Sequence, residues 1–294
     1  MTLSLDHLKA FYYSIKYGTL KKASTHMGIS LSAVSNQIIL LEKELSLKLM
    51  IRNKGGVKLT SEGQTLLNMI QNTIPALDII PDFFQQETEL KGDIKLETWP
   101  GVASFAISNY IKNFVETYKD VRVIVKCQNS DAADEEWLSD VSIRPYVEHR
   151  TDLIQTKIFS VKFNAYSSKE YLELYGHPSE YKDLDHHRLI GAYDPTDIHF
   201  SAETDWHLTI GSEIARKPCY VVNSSFGILH AIKNGLGIGT LPTYYKPESY
   251  GLIELFSEVN APIIDFYYIY PTYLEKIKRI KALEKYLVET LANL

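Results

Sequence analysis

The sequence predicts an α/β protein in two parts: a mainly helical N-terminal segment and a larger body that mixes strands and helices. Two observations support this division. The hydrophobic period changes from helical to strand-like at about Gly92. The charge is also uneven, because residues 1–60 carry a net charge of +6 and the remaining residues carry −11. At 294 residues with 45% hydrophobic residues, the chain has enough apolar material for about two domains.

Three helices are expected at the start of the chain. Apolar residues recur at three- and four-residue intervals over 5–15, and Gly18 ends this first helix. Thr19 can cap a second helix that ends at Gly28, and Ser30 can cap a third. The third helix has one apolar face, formed by Val34, Ile38, Leu41 and Leu45. Closely packed helices joined by a glycine turn predict a helix-turn-helix unit.

A hairpin is expected after the third helix. Two short strand-forming segments, 49–53 and 57–60, flank Lys54-Gly55-Gly56. Because paired glycines are typical of tight turns, these segments predict a hairpin whose basic side chains project as a wing.

A long helix should follow the hairpin. Thr60 or Ser61 can cap a stretch in which apolar residues recur at helical spacing up to Phe84. Pro75 and Pro81 interrupt this stretch, so we expect a kink or break near them. A helix this apolar needs a partner in water, and pairing with a second copy of itself is the simplest solution.

The remainder of the chain has the pattern of an α/β body. Residues 94–98 alternate as a strand, 105–118 have helical spacing, and 121–125 again resemble a strand. This βαβ order favours a parallel sheet. Further strands are expected at 140–144, 162–167, 188–192, 218–222 and 264–269. Further helices are expected at 168–175, 225–234 and 273–291.

Several classes of protein and site are disfavoured by the sequence. Two cysteines far apart in the chain, Cys127 and Cys219, argue against a disulfide framework or a cysteine-based zinc site. His186, His187 and His199 lack the spacing of metal ligands, so we expect neither a metal nor a cofactor. No apolar run is long enough to span a membrane and no secretory start is visible, so we expect a cytoplasmic protein without membrane contact. No nucleophile motif is found, which favours a protein that is not an enzyme.

A set of N-terminal residues in fixed register resembles a known family. The set comprises Leu8, Phe11, Gly18, Thr19, Leu20, Ala23, Ile29, Ser30, Ala33, Val34, Ser35, Gln37, Ile38, Leu41, Glu42, Leu45, Leu49, Arg52, Leu59, Thr60 and Gly63. It is similar to the N-terminal domain of LysR-type transcriptional regulators. The resemblance extends over the rest of the chain, including Gly92-Asp93-Ile94 and the segment from Gly235 to Pro242. The departures are Ser46 where the family usually has glycine, Met50 where it has phenylalanine, and Leu31, Ser32 and Asn36 where it often has glutamine, proline and arginine.

The resemblance implies a fold and a division into domains. It implies a winged helix-turn-helix over residues 1–60, a linker and dimerisation helix over 61–90, and an effector-binding domain over 91–294. The last of these would be a two-lobed α/β domain like a periplasmic binding protein. Its lobe I would comprise about 91–161 and 264–294, and lobe II about 162–263.

The exposed N-terminal end of the third helix is implied to enter the major groove of DNA. Asparagine can pair with adenine, serine can bond to base edges or phosphate, and Leu31 can pack on a thymine methyl group. The basic residues of the second helix and wing suit phosphates. The expected DNA-binding residues are Thr19, Lys21, Lys22, Ser30, Leu31, Ser32, Ser35, Asn36, Arg52, Lys54 and Lys58. The alternative is that these are ordinary residues of a solvated face.

A small molecule, the effector, is expected between the lobes, where loops after strands meet helix N-termini. Hydroxyls, amides and free N–H groups suit an anion such as a carboxylate. The expected effector-binding residues are Thr98, Trp99, Gly101, Gln128, Asn129, Ser130, Asn223 and Ser224. The alternative is that Thr98 and Asn223 only cap the helices that follow them.

The function implied is a sequence-specific DNA-binding transcriptional regulator that responds to an effector. Its partners would be a palindromic promoter site in double-stranded DNA, the effector and a second copy of the chain, as a dimer or a dimer of dimers. A contact with RNA polymerase is compatible with this function. The alternatives are a DNA-binding regulator without an effector, and a two-lobed ligand-binding protein or enzyme with the N-terminal segment as a docking module.

Overall fold

The computed structural model describes residues 3–53, 56–78, 80, 90–127, 139–197, 201–258 and 261–292, with only the backbone given for Arg52 and Asn53. The chain divides into two compact units. Of the described residues, the first unit contains those before position 90 together with Tyr273–Ile277, and the second contains the others. Within the described ranges, no helix has both the length and the apolar character needed to cross a membrane.

The first unit is a helix-turn-helix with a two-stranded wing and two further helices. Its elements are α1 (Leu5–Lys16), α2 (Leu20–Met27), α3 (Leu31–Leu45), β1 (Met50–Asn53), β2 (Gly56–Leu59), α4 (Ser61–Ile70) and α5 (Thr73–Asp78). β1 and β2 pair antiparallel, with Asn53 opposite Gly56. Phe11, Val34, Ile38 and Leu41 are fully buried in its core. The wing turn at 54–55 lies outside the described residues.

The predicted helix caps are present in the first unit. The hydroxyl of Thr19 accepts a hydrogen bond from the N–H of Lys22 at 3.2 Å. Those of Ser30 and Thr60 cap α3 and α4 in the same way. Gly28 ends α2 with a φ of 67°, in the left-handed region that suits glycine.

The predicted break in the linker helix occurs before Pro75. A turn at residues 71–72 separates α4 from α5, and Pro75 is the third residue of α5. Proline is tolerated there because the N–H groups of a first helical turn have no intrahelical acceptor. Pro81 lies outside the described residues, so an effect of Pro81 stays a prediction.

The second unit contains a sheet of nine strands and five helices in its described part. The strands are β3 (Gly92–Thr98), β4 (Val121–Cys127), β5 (Val141–Arg144), β6 (Leu153–Ser168), β7 (Leu189–Gly191), β8 (Tyr220–Val221), β9 (Ile238–Pro242), β10 (Leu252–Leu255) and β11 (Ile263–Pro271). The helices are α6 (Pro100–Val102), α7 (Lys112–Thr117), α8 (Lys169–Tyr175), α9 (Ser225–Lys233) and α10 (Lys278–Leu291).

The long strand β6 joins two halves of this sheet. Its first part pairs with β11, in the half that also contains β3, β4 and β5. Its last residues, from Phe163 onward, pair with β9 and β10, in the half that also contains β7 and β8. The α/β class is therefore confirmed, and the two strands of the predicted βαβ unit are parallel, but the sheet as a whole is mixed rather than parallel. β3 lies parallel to β4 and β5, whereas β6 and β11 pair antiparallel with their neighbours.

Three other sequence predictions for this unit need correction. The helix predicted over 105–118 is interrupted, because a π-helical turn at Ala103–Ile107 precedes α7. The strand predicted at 162–167 begins nine residues earlier, at Leu153. The helix predicted from Tyr273 begins at Lys278, after a 3-10 turn at Thr272–Leu274.

Candidate DNA-binding and effector-binding sites

The N-terminal end of α3 presents a small polar and apolar surface to solvent. Ser30, Leu31, Ser32 and Asn36 are exposed there, and the side chain of Leu31 is 49% exposed. Ser35 is half-buried. The hydroxyl of Ser30 accepts from the N–H of Ala33 at 3.1 Å and lies 2.9 Å from that of Ser32. These side chains can therefore offer hydroxyls, one amide and one methyl-bearing surface to a groove.

The predicted phosphate-binding lysines that are described lie free of carboxylates. Lys21 and Lys22 are exposed in the first turn of α2, and Lys58 is exposed on β2. No ion pair is found for these three within the described ranges. Lys54 lies outside the described residues and the side chain of Arg52 is not described.

Two other lysines of the first unit are engaged by carboxylates. The ammonium of Lys9 lies 2.7 Å from Asp78, and that of Lys48 lies 2.6 Å from Glu42. The net charge of +6 over residues 1–60 already includes Glu42 but not Asp78, so the pair with Asp78 offsets one further positive charge of the first unit.

The wing is held against the turn between α1 and α2. The N–H of Val57 donates to the carbonyl of Gly18 at 3.3 Å. Gly56 has a φ of 125°, and a Cβ atom built on it would lie 2.6 Å from the same carbonyl oxygen. Only glycine fits this close approach, which explains why residue 56 of the wing is a glycine.

A cavity of about 630 Å³ lies where the two halves of the sheet meet. Four predicted effector-binding residues line it, namely Trp99 and Gly101 after β3, and Asn223 and Ser224 before α9. Thr98 is not among the lining residues, and its buried hydroxyl donates to the carbonyl of Ile143 at 2.7 Å. Gln128, Asn129 and Ser130 lie outside the described residues.

Three charged residues that were not predicted from the sequence also line the cavity. Arg144 ends β5, while Glu203 and Asp205 lie in the segment between β7 and β8. Neither position lies in a local sequence motif. The sheet topology, and not the local sequence, brings β5 and this segment together. The only available signal was the general one that binding residues follow strand ends.

Asp205 is a buried carboxyl group at the cavity wall. Its side chain is 1% exposed, and it accepts hydrogen bonds from the N–H groups of Ala192 at 3.0 Å and Tyr193 at 3.4 Å. Burial raises the pKa of Asp205 to about 6, although these hydrogen bonds act in the opposite direction. Asp205 is therefore mostly ionised at pH 7 and positions the segment after β7.

Arg144 and the N-terminus of α9 supply positive potential to the same cavity. The Nε atom of Arg144 is buried and has no hydrogen-bond acceptor within the described residues. The hydroxyl of Ser224 caps α9 by accepting from the N–H of Gly227 at 3.3 Å. Helix N-termini carry partial positive charge, so both groups suit an anionic group of a ligand.

No group of histidine, cysteine, aspartate and glutamate side chains in the described part of the chain has the arrangement of a metal site. His199, one of the histidines considered above, lies outside that part.

Two family models match the chain. The model "Bacterial regulatory helix-turn-helix protein, lysR family" matches residues 5–64, and the model "LysR substrate binding domain" matches residues 87–292. The probable regulator SinR of Salmonella typhimurium is 25% identical over 180 residues, which is 60% of this chain and 57% of SinR. The probable regulator LtrA of Klebsiella pneumoniae is 22% identical, over 99% of this chain and 96% of LtrA.

Solved structures have the same fold. The full-length LysG of Corynebacterium glutamicum, with bound effector Arg, has a TM-score of 0.64 at 16% identity, covering 98% of this chain and 99% of LysG. The chain belongs to the LysR family of DNA-binding transcriptional regulators, with an N-terminal helix-turn-helix and an effector-binding domain. This family consists of regulators, not enzymes.

Proposed function

We propose that the exposed end of α3 reads bases in the major groove while Lys21, Lys22 and Lys58 contact phosphates. The surface described above supports this assignment, because Asn36 and Leu31 offer the amide and the apolar group that distinguish A·T base pairs. Ser30, Ser32 and Ser35 add hydroxyls at the same end of α3, and Thr19 caps α2 next to Lys21 and Lys22. Arg52 and Lys54 add positive charge in the wing sequence. The proposed DNA-binding domain comprises residues 1–60.

We propose that the chain acts as a dimer or a dimer of dimers through the segment 61–90. On α4 and α5, Leu67, Ile70 and Ile74 are buried in the first unit, but Met69 is 73% exposed and Leu77 is also exposed. A second copy would remove this apolar surface from water. A symmetric dimer matches a palindromic operator, with half-sites about one helical turn apart. The site of action is then the cytoplasm, where RNA polymerase is the further partner.

The effector is proposed to bind in the cavity of the domain at 91–294. The single observation that carries this proposal is that the cavity is lined from both halves of the sheet, by Trp99 and Arg144 on one side and Asn223 and Asp205 on the other. A ligand that binds one arrangement of the halves more tightly shifts the population toward that arrangement. Any resulting change in the affinity for DNA equals, as a factor, the change that DNA makes in the affinity for the ligand. Arg144 and the α9 N-terminus would receive its anionic group.

Gel-shift titration of the full chain against DNA from upstream of its gene tests the DNA assignment. We expect a shift that persists in excess unrelated DNA and is lost in Asn36→Ala/Leu31→Ala, while Lys285→Ala, an exposed lysine of the second unit, behaves as the parent. Absence of any shift above that of bulk DNA, on all upstream fragments tried, would contradict the assignment.

A further inference from the structure

The walls of the effector cavity are unusually aromatic. Eight of its 24 lining residues are phenylalanine, tyrosine or tryptophan, which is one third, compared with 12% in the whole chain. They come from both halves of the sheet. Phe105 packs on the ring of Tyr245 with centroids 4.0 Å apart, and Tyr244 stacks beside them at 5.2 Å from Tyr245. A cavity of this size and lining takes a small molecule with a flat ring.

The charges of the cavity have both signs, and the negative charges outnumber the positive. Arg144 is the cation among the described lining residues, whereas Glu203 and Asp205 are both carboxylates. A ligand with only a carboxylate would satisfy Arg144 and leave two acidic groups facing it. Because like charges repel, the two carboxylates disfavour a ligand carboxylate beside them, so such a ligand fits this cavity poorly.

The two signs come from different parts of the fold. Arg144 ends β5 in the half of the sheet that contains β3, β4 and β11. Glu203 and Asp205 lie in the segment between β7 and β8, in the other half. A ligand that carries both a cation and an anion can therefore bind both halves at once.

Arg144 and Glu203 have capacity left for such a ligand, and Asp205 adds negative charge beside Glu203. The Nε–H of Arg144 lacks an acceptor within the described part of the chain. Asp205 accepts from two backbone N–H groups through Oδ2 and also interacts with the side chain of Thr240, so the ligand ammonium would add to these partners. Glu203 is exposed at the cavity wall and forms no ion pair within the described ranges.

We propose that the effector is a zwitterion with a ring, such as an aromatic α-amino acid, whose carboxylate faces Arg144 and the N-terminus of α9 and whose ammonium faces Glu203 and Asp205. The ring would lie against the walls formed by Trp99, Phe105 and Tyr244. This inference rests on the proposed function, since it assigns a chemical class to the effector of the same cavity. The proposed effector is therefore not a simple carboxylate but a molecule whose two charges match those of the cavity.

A matched set of ligands tests the proposal. Calorimetry on the full chain would compare L-phenylalanine, L-tyrosine and L-tryptophan with 3-phenylpropionate, which lacks the ammonium, and 2-phenylethylamine, which lacks the carboxylate. We expect at least one amino acid to bind at least tenfold more tightly than either fragment. Equal binding of 3-phenylpropionate would overturn the zwitterion but leave an anionic effector in place. No binding of any aromatic amino acid at millimolar concentration would also overturn it.

Variants of the lining charges give a second, independent test. Glu203→Gln should weaken amino acid binding about tenfold and leave the weaker binding of 3-phenylpropionate unchanged. Arg144→Gln should weaken both. Glu213→Gln, an exposed glutamate of the same segment that does not line the cavity, is the control and should change neither. If Arg144→Gln does not fold, Glu203→Gln decides the outcome, and unchanged amino acid binding in that variant contradicts the proposal. Gel shifts of the unliganded protein test DNA binding separately.

Discussion

The carboxylate of Glu42, in the last turn of α3, accepts a hydrogen bond from the backbone N–H of Leu49 at 3.0 Å. The same oxygen lies 3.4 Å from the N–H of Met50, where β1 begins, and the other oxygen binds the Lys48 ammonium at 2.6 Å. Glu42 is 8% exposed. One carboxylate therefore ties the helix proposed to read DNA to the wing beside it.

Glu42→Gln should destabilise the first unit. The amide keeps one acceptor oxygen for the backbone but loses the charge-assisted bond to Lys48, so we expect a loss of about 1–2 kcal/mol in the free energy of unfolding. Glu44→Gln is the matched control, because Glu44 lies on the same helix and is more exposed. Urea unfolding measures both, and a loss no larger for Glu42→Gln than for Glu44→Gln would contradict the role given to Glu42.

The same substitution should remove part of the acid sensitivity of the protein. Burial alone would raise the pKa of Glu42, but the hydrogen bonds from Lys48, Leu49 and Met50 outweigh burial and lower it below its ordinary value of 4.5. A lowered carboxyl pKa stabilises the fold above pH 4.5, and this stabilisation is lost as the pH falls below that value. We expect the stability difference between parent and Glu42→Gln to shrink from pH 7 to pH 3, as followed by thermal unfolding.

Ser46→Gly should stabilise the first unit. Ser46 ends α3 with a φ of 57°, a left-handed conformation that costs a non-glycine residue about 1 kcal/mol. The N–H of Leu47 still donates to the carbonyl of Glu42 at 3.1 Å, so the helix end itself stays intact. We expect a gain of about 0.5–1 kcal/mol on urea unfolding, and Ser46→Val should lose stability. A stabilising valine would show that backbone strain is not the cause.

Local features of the fold were predictable from the sequence, whereas pairing between distant segments was not. The caps at Thr19, Ser30 and Thr60 depend on a hydroxyl and the next three residues, and all three form. Strand β9 was missed because Gly235, Gly237 and Gly239 indicate turns. Gly235 does lie in a turn, with a φ of 73°, but Ile238–Pro242 becomes a strand by pairing with β6 and β7.

The candidate site shows the same limit. Trp99 and Gly101, which directly follow a predicted strand, line the cavity, as do Asn223 and Ser224 before a predicted helix. Arg144 and Asp205 could not be chosen from sequence, because neither lies in a motif and they are 61 positions apart in the chain. Their place at one cavity depends on the order of strands in a mixed sheet, which the local pattern does not determine.

Removing Lys21 and Lys22 should weaken DNA binding without changing sequence preference. Both side chains are exposed at the start of α2, and phosphate contacts position a protein without reading bases. Each lost contact should reduce the slope of log K against log salt by about 0.9. Fluorescence anisotropy at several salt concentrations measures this for Lys21→Ala/Lys22→Ala, with Lys285→Ala as control. An unchanged slope would show that these lysines do not contact phosphates.

Leu31 should contact a thymine methyl group in the operator. Replacing one thymine at a time by uracil removes only that methyl, and losing about 0.8 kcal/mol of apolar burial weakens binding about fourfold. We expect one such position in each half-site for the parent protein and none for Leu31→Ala. Equal sensitivity of the two proteins at every position would exclude this contact. Ile39→Ala, another exposed apolar residue of α3, is the matched control.

Asp205→Asn should stabilise the second unit at neutral pH. The pKa of Asp205 is raised from 3.8 to about 6, so the folded state binds a proton more tightly than the unfolded state. The stability of the parent therefore falls as the pH rises from about 4 to 6 and stays lower above that range. Asparagine keeps an oxygen for the N–H groups of Ala192 and Tyr193 but carries no charge to bury.

We expect Asp205→Asn to be more stable than the parent by up to about 3 kcal/mol at pH 7.5, with a smaller difference at pH 5. Thermal unfolding at both pH values measures this, and Asp120→Asn, an exposed aspartate of the same unit, should show no such change. A less stable Asp205→Asn at pH 7.5 would mean that the two backbone hydrogen bonds need the full charge. In that case the hydrogen bonds would outweigh the cost of burial, and the pKa of Asp205 would not be raised above its ordinary value.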